Sequence, residues 1–214
     1  MSFSEFVDGP FWYFSFSVFV IGVLWRLIGM LAMGTKTDLS SARASGASGA
    51  VRINITRFLP RADFWSRIRL QVIAGYLFHV GLFALLFFAA PHIEFYREYL
   101  LGFGWPAMPD WAFILVSELA FLGLLLLILH RMMNPVTRMI SDRGDYIGSI
   151  LIFLVMLTGC LALARSHEGL RVTHFFLAEL LLLYFPFSAL MHTFTFPFSR
   201  GFMGAHYGRR GVKV

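Results

Sequence analysis

Five apolar runs decide what this chain can fold into. They lie at about 11–33, 70–90, 111–129, 146–164 and 173–196, and each is close to the roughly 20 residues that a helix needs to cross a bilayer. In lipid every backbone N–H and C=O must be satisfied within the protein, so runs of this length become helices. The composition agrees: of 214 residues 58% are hydrophobic and 14% charged, with a mean hydropathy of +0.71. A soluble fold has too few polar residues here to cover its surface. The expected architecture is an all-α membrane protein with five transmembrane helices in a bundle, residues 1–214 forming one membrane domain. The first run is read as a span and not as a signal peptide, because Glu5 and Asp8 stand where a basic segment is needed and the apolar core is long and aromatic.

Basic residues between the runs set an orientation, since short loops rich in Lys and Arg stay cytoplasmic. The connection at 34–69 carries Lys36, Arg43, Arg52, Arg57, Arg61, Arg67 and Arg69; Arg131, Arg138 and Arg143 follow the third run, and Arg200, Arg209, Arg210 and Lys213 follow the fifth. Only Arg97, Arg165 and Arg171 fall on the other side. The N-terminus is therefore expected outside and the C-terminus in the cytoplasm. On this reading the net charge of +6 is mainly an orientation signal, with acidic lipid a secondary partner and no role for nucleic acid. The stretch SSARASGASGA has neither core residues nor a helical period, so 34–69 reads as a flexible cytoplasmic loop long enough to be a docking surface. ITRFLPRADFWSRIRL, which follows it, mixes aromatic residues with arginines as interfacial segments do. FYREYLLGFGWPAMPDW carries Tyr96, Tyr99, Trp105 and Trp111, consistent with an aromatic belt and a short interfacial helix. A single cysteine, Cys160, excludes a disulfide framework, a zinc site or a thiolate-held cluster built from this chain alone.

The fifth run is bracketed by histidines. In HFFLAELLLLYFPFSALMH, His174 and His192 are eighteen residues apart, which is five helical turns, so a continuous helix would carry both rings on one face about 27 Å apart. That separation suits two sites stacked through a membrane. A buried histidine needs an acceptor, a metal or water. His79, in GYLFHVGLF, has Gly75 and Gly81 nearby; small residues there admit a bulky group or a neighbouring helix. Taken singly, His79 reads as a helix-to-helix hydrogen bond. Runs two and five, however, are antiparallel, which puts His79 and His192 at similar depth, and two imidazoles from facing helices make a bis-histidine site for a b-type haem. His174 needs a separate partner near the outer surface. His92, in AAPHIEF, has a suitable depth, and a solvent-exposed loop histidine is the competing reading. His130, His167 and His206 read as headgroup or surface residues. Arg26 either snorkels to the interface or pairs with a haem propionate. Glu118 and Glu179, inside runs three and five, either bond to a neighbouring helix or relay protons to a quinone.

These residues resemble the membrane cytochrome b family of respiratory nitrate reductase gamma subunits, including related subunits of heterodisulfide-reductase-like and sulfite-reduction-associated complexes. FHVG around His79 resembles the family's ligand motif FH(I/V)G, and FPFSALMH ending at His192 resembles FPFSRLVH, with His174 at the family spacing upstream. IGVLWRL and DRGDYIGSILIF add weaker similarity, so that the resemblance covers most of the chain. It implies that His79 and His192 ligate an inner haem and that His174 ligates an outer one, giving two haems b. The family's second span has another histidine ten residues after the first; Ala89 occupies that position here, and His92 lies three residues further on. The resemblance further implies a quinol-oxidising or quinone-reducing subunit in the cytoplasmic membrane of a prokaryote, with quinone as substrate and a cytoplasmic iron-sulfur partner of heterodisulfide-reductase-like or nitrate-reductase-like type. Two other readings stand beside it: a non-haem anchor or assembly subunit with structural histidines, and a small transporter using Glu118, Glu179 and His79.

Overall fold

The computed structural model describes residues 1–34, 38–165 and 167–212. Lys36 and Lys213, two of the cations behind the expected orientation, lie outside the described residues. Among those described, five helices are long and apolar enough to cross a membrane, and the protein is a multi-pass, all-helical membrane protein. We label the helices α1 (Phe3–Ala32), α2 (Gly46–Thr56), α3 (Ala62–Phe88), α4 (Ala90–Phe95), α5 (Asp110–Met133), α6 (Pro135–Ile140), α7 (Arg143–Arg165), α8 (Glu168–Tyr184) and α9 (His192–Arg209). The spans are α1, α3, α5, α7 and the segment Glu168–Phe187 that begins with α8. Two compact units are formed, one from residues 1–61 and 161–214, the other from residues 62–160.

In the first unit α1 and α8 run parallel. Asp8 meets Arg171 near the start of both, and Gly22 meets Pro186 fourteen residues further along α1. Pro10 lies within a π-helical turn, Val7–Phe11, of α1; a proline ring displaces the ordinary i−4 bond, and a wider turn absorbs it. The sequence reading fails at Pro186. The fifth run is not one helix to 196: α8 ends at Tyr184, a 3-10 turn spans Phe185–Phe187, Ser188 is extended at φ −118° and ψ 176°, and a second 3-10 turn, Ala189–Met191, leads into α9. Proline lacks the N–H and clashes with the preceding turn. The Ser188 hydroxyl then satisfies part of the freed backbone, donating to the Phe185 carbonyl at 3.0 Å and accepting from the Leu190 amide at 3.2 Å. His174 and His192 therefore belong to separate helices, and counting turns between them does not put them on one face.

A second correction concerns 34–69. Residues Gly46–Thr56 form α2, capped by Ser45, whose hydroxyl accepts from the Ser48 amide at 3.3 Å, and α3 already begins at Ala62. Helix α2 lies on α9 so closely that a Cβ on Gly49 or Gly204 would meet the opposite backbone. Asn54 Nδ2 donates to the Pro197 carbonyl at 3.1 Å, the Arg43 amide donates to the Arg209 carbonyl at 2.8 Å, and Arg200 lies over the rings of Phe58 and Phe196. Glycine and serine are poor helix formers, so this helix owes its existence to tertiary packing, which a local reading does not see. Arg210 pairs with Asp38 at 3.3 Å, and hydrogen bonds from Ser40, aided by Arg210, pull the Asp38 carboxyl down to about 2.

The second unit is organised by antiparallel α3 and α5. A Cβ on Gly81 would lie 2.7 Å from that of Ala120, and one on Gly123 would lie 2.6 Å from the Ala74 carbonyl. Small residues let the two backbones approach, which is how membrane helices gain packing energy where lipid removes the hydrophobic drive. Helix α7 adds Phe153 edge-on to Phe121 at 5.4 Å and the Asp145–Arg131 ion pair at 2.9 Å.

Gly22→Val should destabilise the first unit by about 1–3 kcal/mol, the usual cost of overpacking, because a Cβ at Gly22 would stand 2.6 Å from Pro186. Gly29→Val should be nearly silent, since a Cβ there meets nothing within 4 Å. Thermal unfolding of both variants in detergent checks this, and equal midpoints would contradict the contact.

Candidate functional site

Three of the four candidate histidines, His79, His92 and His192, are held by backbone carbonyls that precede them. In the second unit, His79 Nδ1–H donates to the Gly75 carbonyl one turn earlier at 2.7 Å. A carbonyl can only accept, so the proton sits on Nδ1 and the Nε2 lone pair is the one directed away from the helix. The two glycines beside His79 differ in use. Gly81 packs against α5, whereas a Cβ on Gly75 would meet nothing within 4 Å, so Gly75 serves no close helix contact.

His92 is held differently. Helix α3 stops at Phe88, Ala89 is extended, and α4 starts with Pro91 in its first turn. This break swings His92 back over the end of α3, where its Nδ1 lies 3.0 Å from the Leu85 carbonyl and 3.1 Å from that of Leu86. It thus joins the Ala89 amide, which donates to the Leu85 carbonyl at 3.2 Å, in capping the last carbonyls of the helix. Tyr96 Oη donates to the Leu86 carbonyl at 3.1 Å and Trp105 Nε1 to the Phe87 carbonyl at 2.7 Å, so the whole end of α3 is sealed by side chains, with Tyr96 and Trp105 stacked at 5.7 Å. In the aromatic connection, where a short helix is expected, α4 is continued by a π-helical turn, Tyr96–Leu101, that ends at Gly102 with φ 76°.

In the first unit His192 opens α9, exposed, with Nδ1 donating to the Ala189 carbonyl at 2.8 Å across the 3-10 turn that follows Ser188. His174 is half-buried in α8, with its ring 6.2 Å from that of Phe175. Glu179 is buried at 2% exposure on the same helix, and its Oε2 makes no hydrogen bond. Glu118 on α5 and Arg26 on α1 are exposed. His167 caps α8, accepting from the Gly169 amide at 3.1 Å, which supports its surface reading. Among the described residues no three His, Cys, Asp or Glu side chains cluster as they would around a metal ion held by three or more such ligands.

The donor chemistry fits a haem. Metal-ligating histidines commonly donate their second ring N–H to a carbonyl, which fixes the tautomer and raises the basicity of the ligating nitrogen. His79, His92 and His192 all have Nδ1 so engaged. Sequence reasoning placed these residues but missed the device. For His79 the signal was available, because a histidine in a helix reaches the carbonyl four residues back; for His92 and His192 it depends on helix breaks at Ala89 and Ser188.

The fold and these side chains define a class, a multi-pass helical membrane protein carrying oriented histidines. The chain is 29% identical to a protein of Nitratidesulfovibrio vulgaris (strain Hildenborough) described only as "Protein", over 96% of this chain and 94% of that one. No family model and no solved structure matches.

Burial holds the His92 imidazole below its usual 6.5, outweighing the opposite pull of the two carbonyl bonds. The folded state then binds this proton less readily than the unfolded chain, so the contribution to stability is complete above 6.5 and is lost as pH falls through that value. Melting midpoints should drop between about pH 7 and about pH 5, the range in which histidine titrates, and the drop should shrink in His92→Gln. An undiminished drop in the variant would assign the pH dependence elsewhere.

Proposed function

We propose that the protein is a haem b subunit of a respiratory complex, moving electrons between membrane quinone and a cytoplasmic iron-sulfur or catalytic partner. The observation that carries this reading is the shared setting of His79, His92 and His192: each donates Nδ1–H to a backbone carbonyl and so presents Nε2 as a ligating nitrogen. The motifs FHVG and FPFSALMH and the spacing of His174 from His192 add to it. His79 and His92 from one unit and His174 and His192 from the other are the proposed haem ligands, in the pairing that the family resemblance implies. Haem iron, when bound, supplies one-electron transfer.

The chain's own residues do the rest. The Nδ1–carbonyl bonds hold each imidazole in one orientation, with Nε2 as its ligating nitrogen. A Cβ at Gly75 would meet nothing within 4 Å, which is consistent with a bulky group approaching beside His79. Arg26, exposed on α1, supplies a cation suited to a propionate or to lipid phosphate. Glu179 and Glu118 are candidates for taking protons from quinol, and of the two Glu179 is shielded from the surroundings. The basic segments at 38–61 and 200–212, joined by α2 and α9, form the proposed cytoplasmic face on which an iron-sulfur partner docks. The cytoplasmic membrane of a prokaryote, with the N-terminus outside and the C-terminus inside, completes the reading. The bacterial relative fits such a setting.

The reduced-minus-oxidised spectrum of the purified protein tests it. A b-type alpha band with extractable haem is expected, and absence of both would overturn the proposal in favour of an anchor subunit with structural histidines. His192→Ala should abolish the inner haem signal. His92→Ala should halve the haem content if His92 completes the outer site, and an unchanged content would remove it from the ligand set.

A further inference from the structure

The contact between α1 and α8 holds two polar side chains that the proposed haem ligation does not use. Ser15 is 0% exposed and Glu179 2% exposed, and neither Ser15 Oγ nor Glu179 Oε2 has a hydrogen-bond partner. Such atoms are rare because a buried polar oxygen left unpaired is costly, and more so in a spanning segment. Three contacts fix how the parallel helices align. Asp8 receives Arg171 in a two-pronged ion pair at 3.0 and 2.7 Å, Phe11 packs on Phe176 with rings 5.6 Å apart, and Gly22 abuts Pro186. These pairs differ in number by 163, 165 and 164, so the residue level with Ser15 is Glu179.

We infer that Ser15 and Glu179 form a proton-binding site at the contact of α1 and α8, with Glu179 carrying the exchangeable proton and the Ser15 hydroxyl as its first hydrogen-bond partner. A hydroxyl suits this task because it is both donor and acceptor. It accepts from the carboxylic acid when the proton is present and donates to the carboxylate when it has left, so neither state strands an unpaired oxygen. The charged groups around the site lie toward the start of both helices: Asp8 from α1, and Arg171 and Glu168 from α8. His174 stands five residues before Glu179 on α8. Arg171, eight residues before Glu179, is already shared between Asp8 and Glu168 and lies over Phe175 at 5.0 Å, so the guanidinium is committed elsewhere and the hydroxyl level with the carboxyl is the partner that the inference assigns to it. Asp8 and Glu168, both solvent-accessible, give the proton an exit at that end. Use of the site to accept a proton from quinol rests on the haem reading; the site itself does not.

Infrared spectroscopy of the full chain in lipid nanodiscs, titrated with pH in H2O and D2O, tests the assignment. The native protein should show a protonated-carboxyl C=O band that shifts in D2O and is lost in Glu179→Gln. Ser15→Ala should keep the band but move it to higher frequency, as loss of a hydrogen bond to the carboxyl requires. Should Glu179→Gln fail to fold, Ser15→Ala decides alone. A band unaffected by either substitution, or no carboxyl band that depends on Glu179 anywhere in the titration, would overturn the proposal. Neither readout involves haem, so this result and the visible spectrum succeed or fail separately.

Discussion

The seat of Pro186 against Gly22 governs the first unit. A proline inside a spanning segment breaks the backbone ladder where no water is at hand to repair it. Here the broken turn is put to use. Its ring is fully buried against Gly22 of α1, where the absence of a Cβ admits it, and the extended Ser188 that follows caps the next turn and sends the chain into α9. The contact of Gly22 with Pro186 shares its register with the pairs nearer the start of α1 and α8. Asp8 then reaches Arg171, Phe11 reaches Phe176, and Ser15 is left level with Glu179. The position of His192 also depends on it, since that residue begins the helix that the break makes possible.

The second unit solves its packing with the same economy. Gly81 against Ala120 and Gly123 against the Ala74 backbone bring α3 and α5 together at two levels, on a helix that carries His79 on another face. Lipid is as apolar as leucine, so helices associate in it through close contact and not through burial of grease. Helices α2 and α9 apply this outside the spans: Gly49, Gly204 and Gly208 bring two backbones together while arginines remain on the flanks. A pair held so tightly presents a fixed basic surface, which is a different object from the flexible loop that its composition implies.

How much of this was legible beforehand follows from the range of each interaction. The five spans were readable because hydropathy is local and a bilayer imposes one length. Helix α2 was not, since glycine and serine lower its intrinsic propensity and its stabilising partner lies some 150 residues later in the chain. Pro186 was in plain view, and the helical count from His174 to His192 passed over it, which shows that a spacing argument holds only where every intervening residue can be helical. The candidate histidines were found by type and position. Their tautomers were not, because for His92 and His192 the accepting carbonyl is supplied by a break in the helix.

The ionisable residues within the spans separate once burial is known. Arg26 and Glu118 are exposed on α1 and α5, while Glu179 is enclosed. In sequence all three are a charge within an apolar run, and the expense of such a charge applies to each. An exposed one can lower that cost with something outside the protein, whether a lipid headgroup reached by snorkelling or a partner subunit. An enclosed one has only what its neighbours provide. For Glu179 the packing of α1 provides the Ser15 hydroxyl at its level, with an arginine eight residues earlier held by two other carboxylates. Had the structure required a fixed negative charge there, Arg171 is the residue that would have neutralised it. That it is committed to Asp8 and Glu168 instead is what makes a transferable proton the chemistry that this position supports.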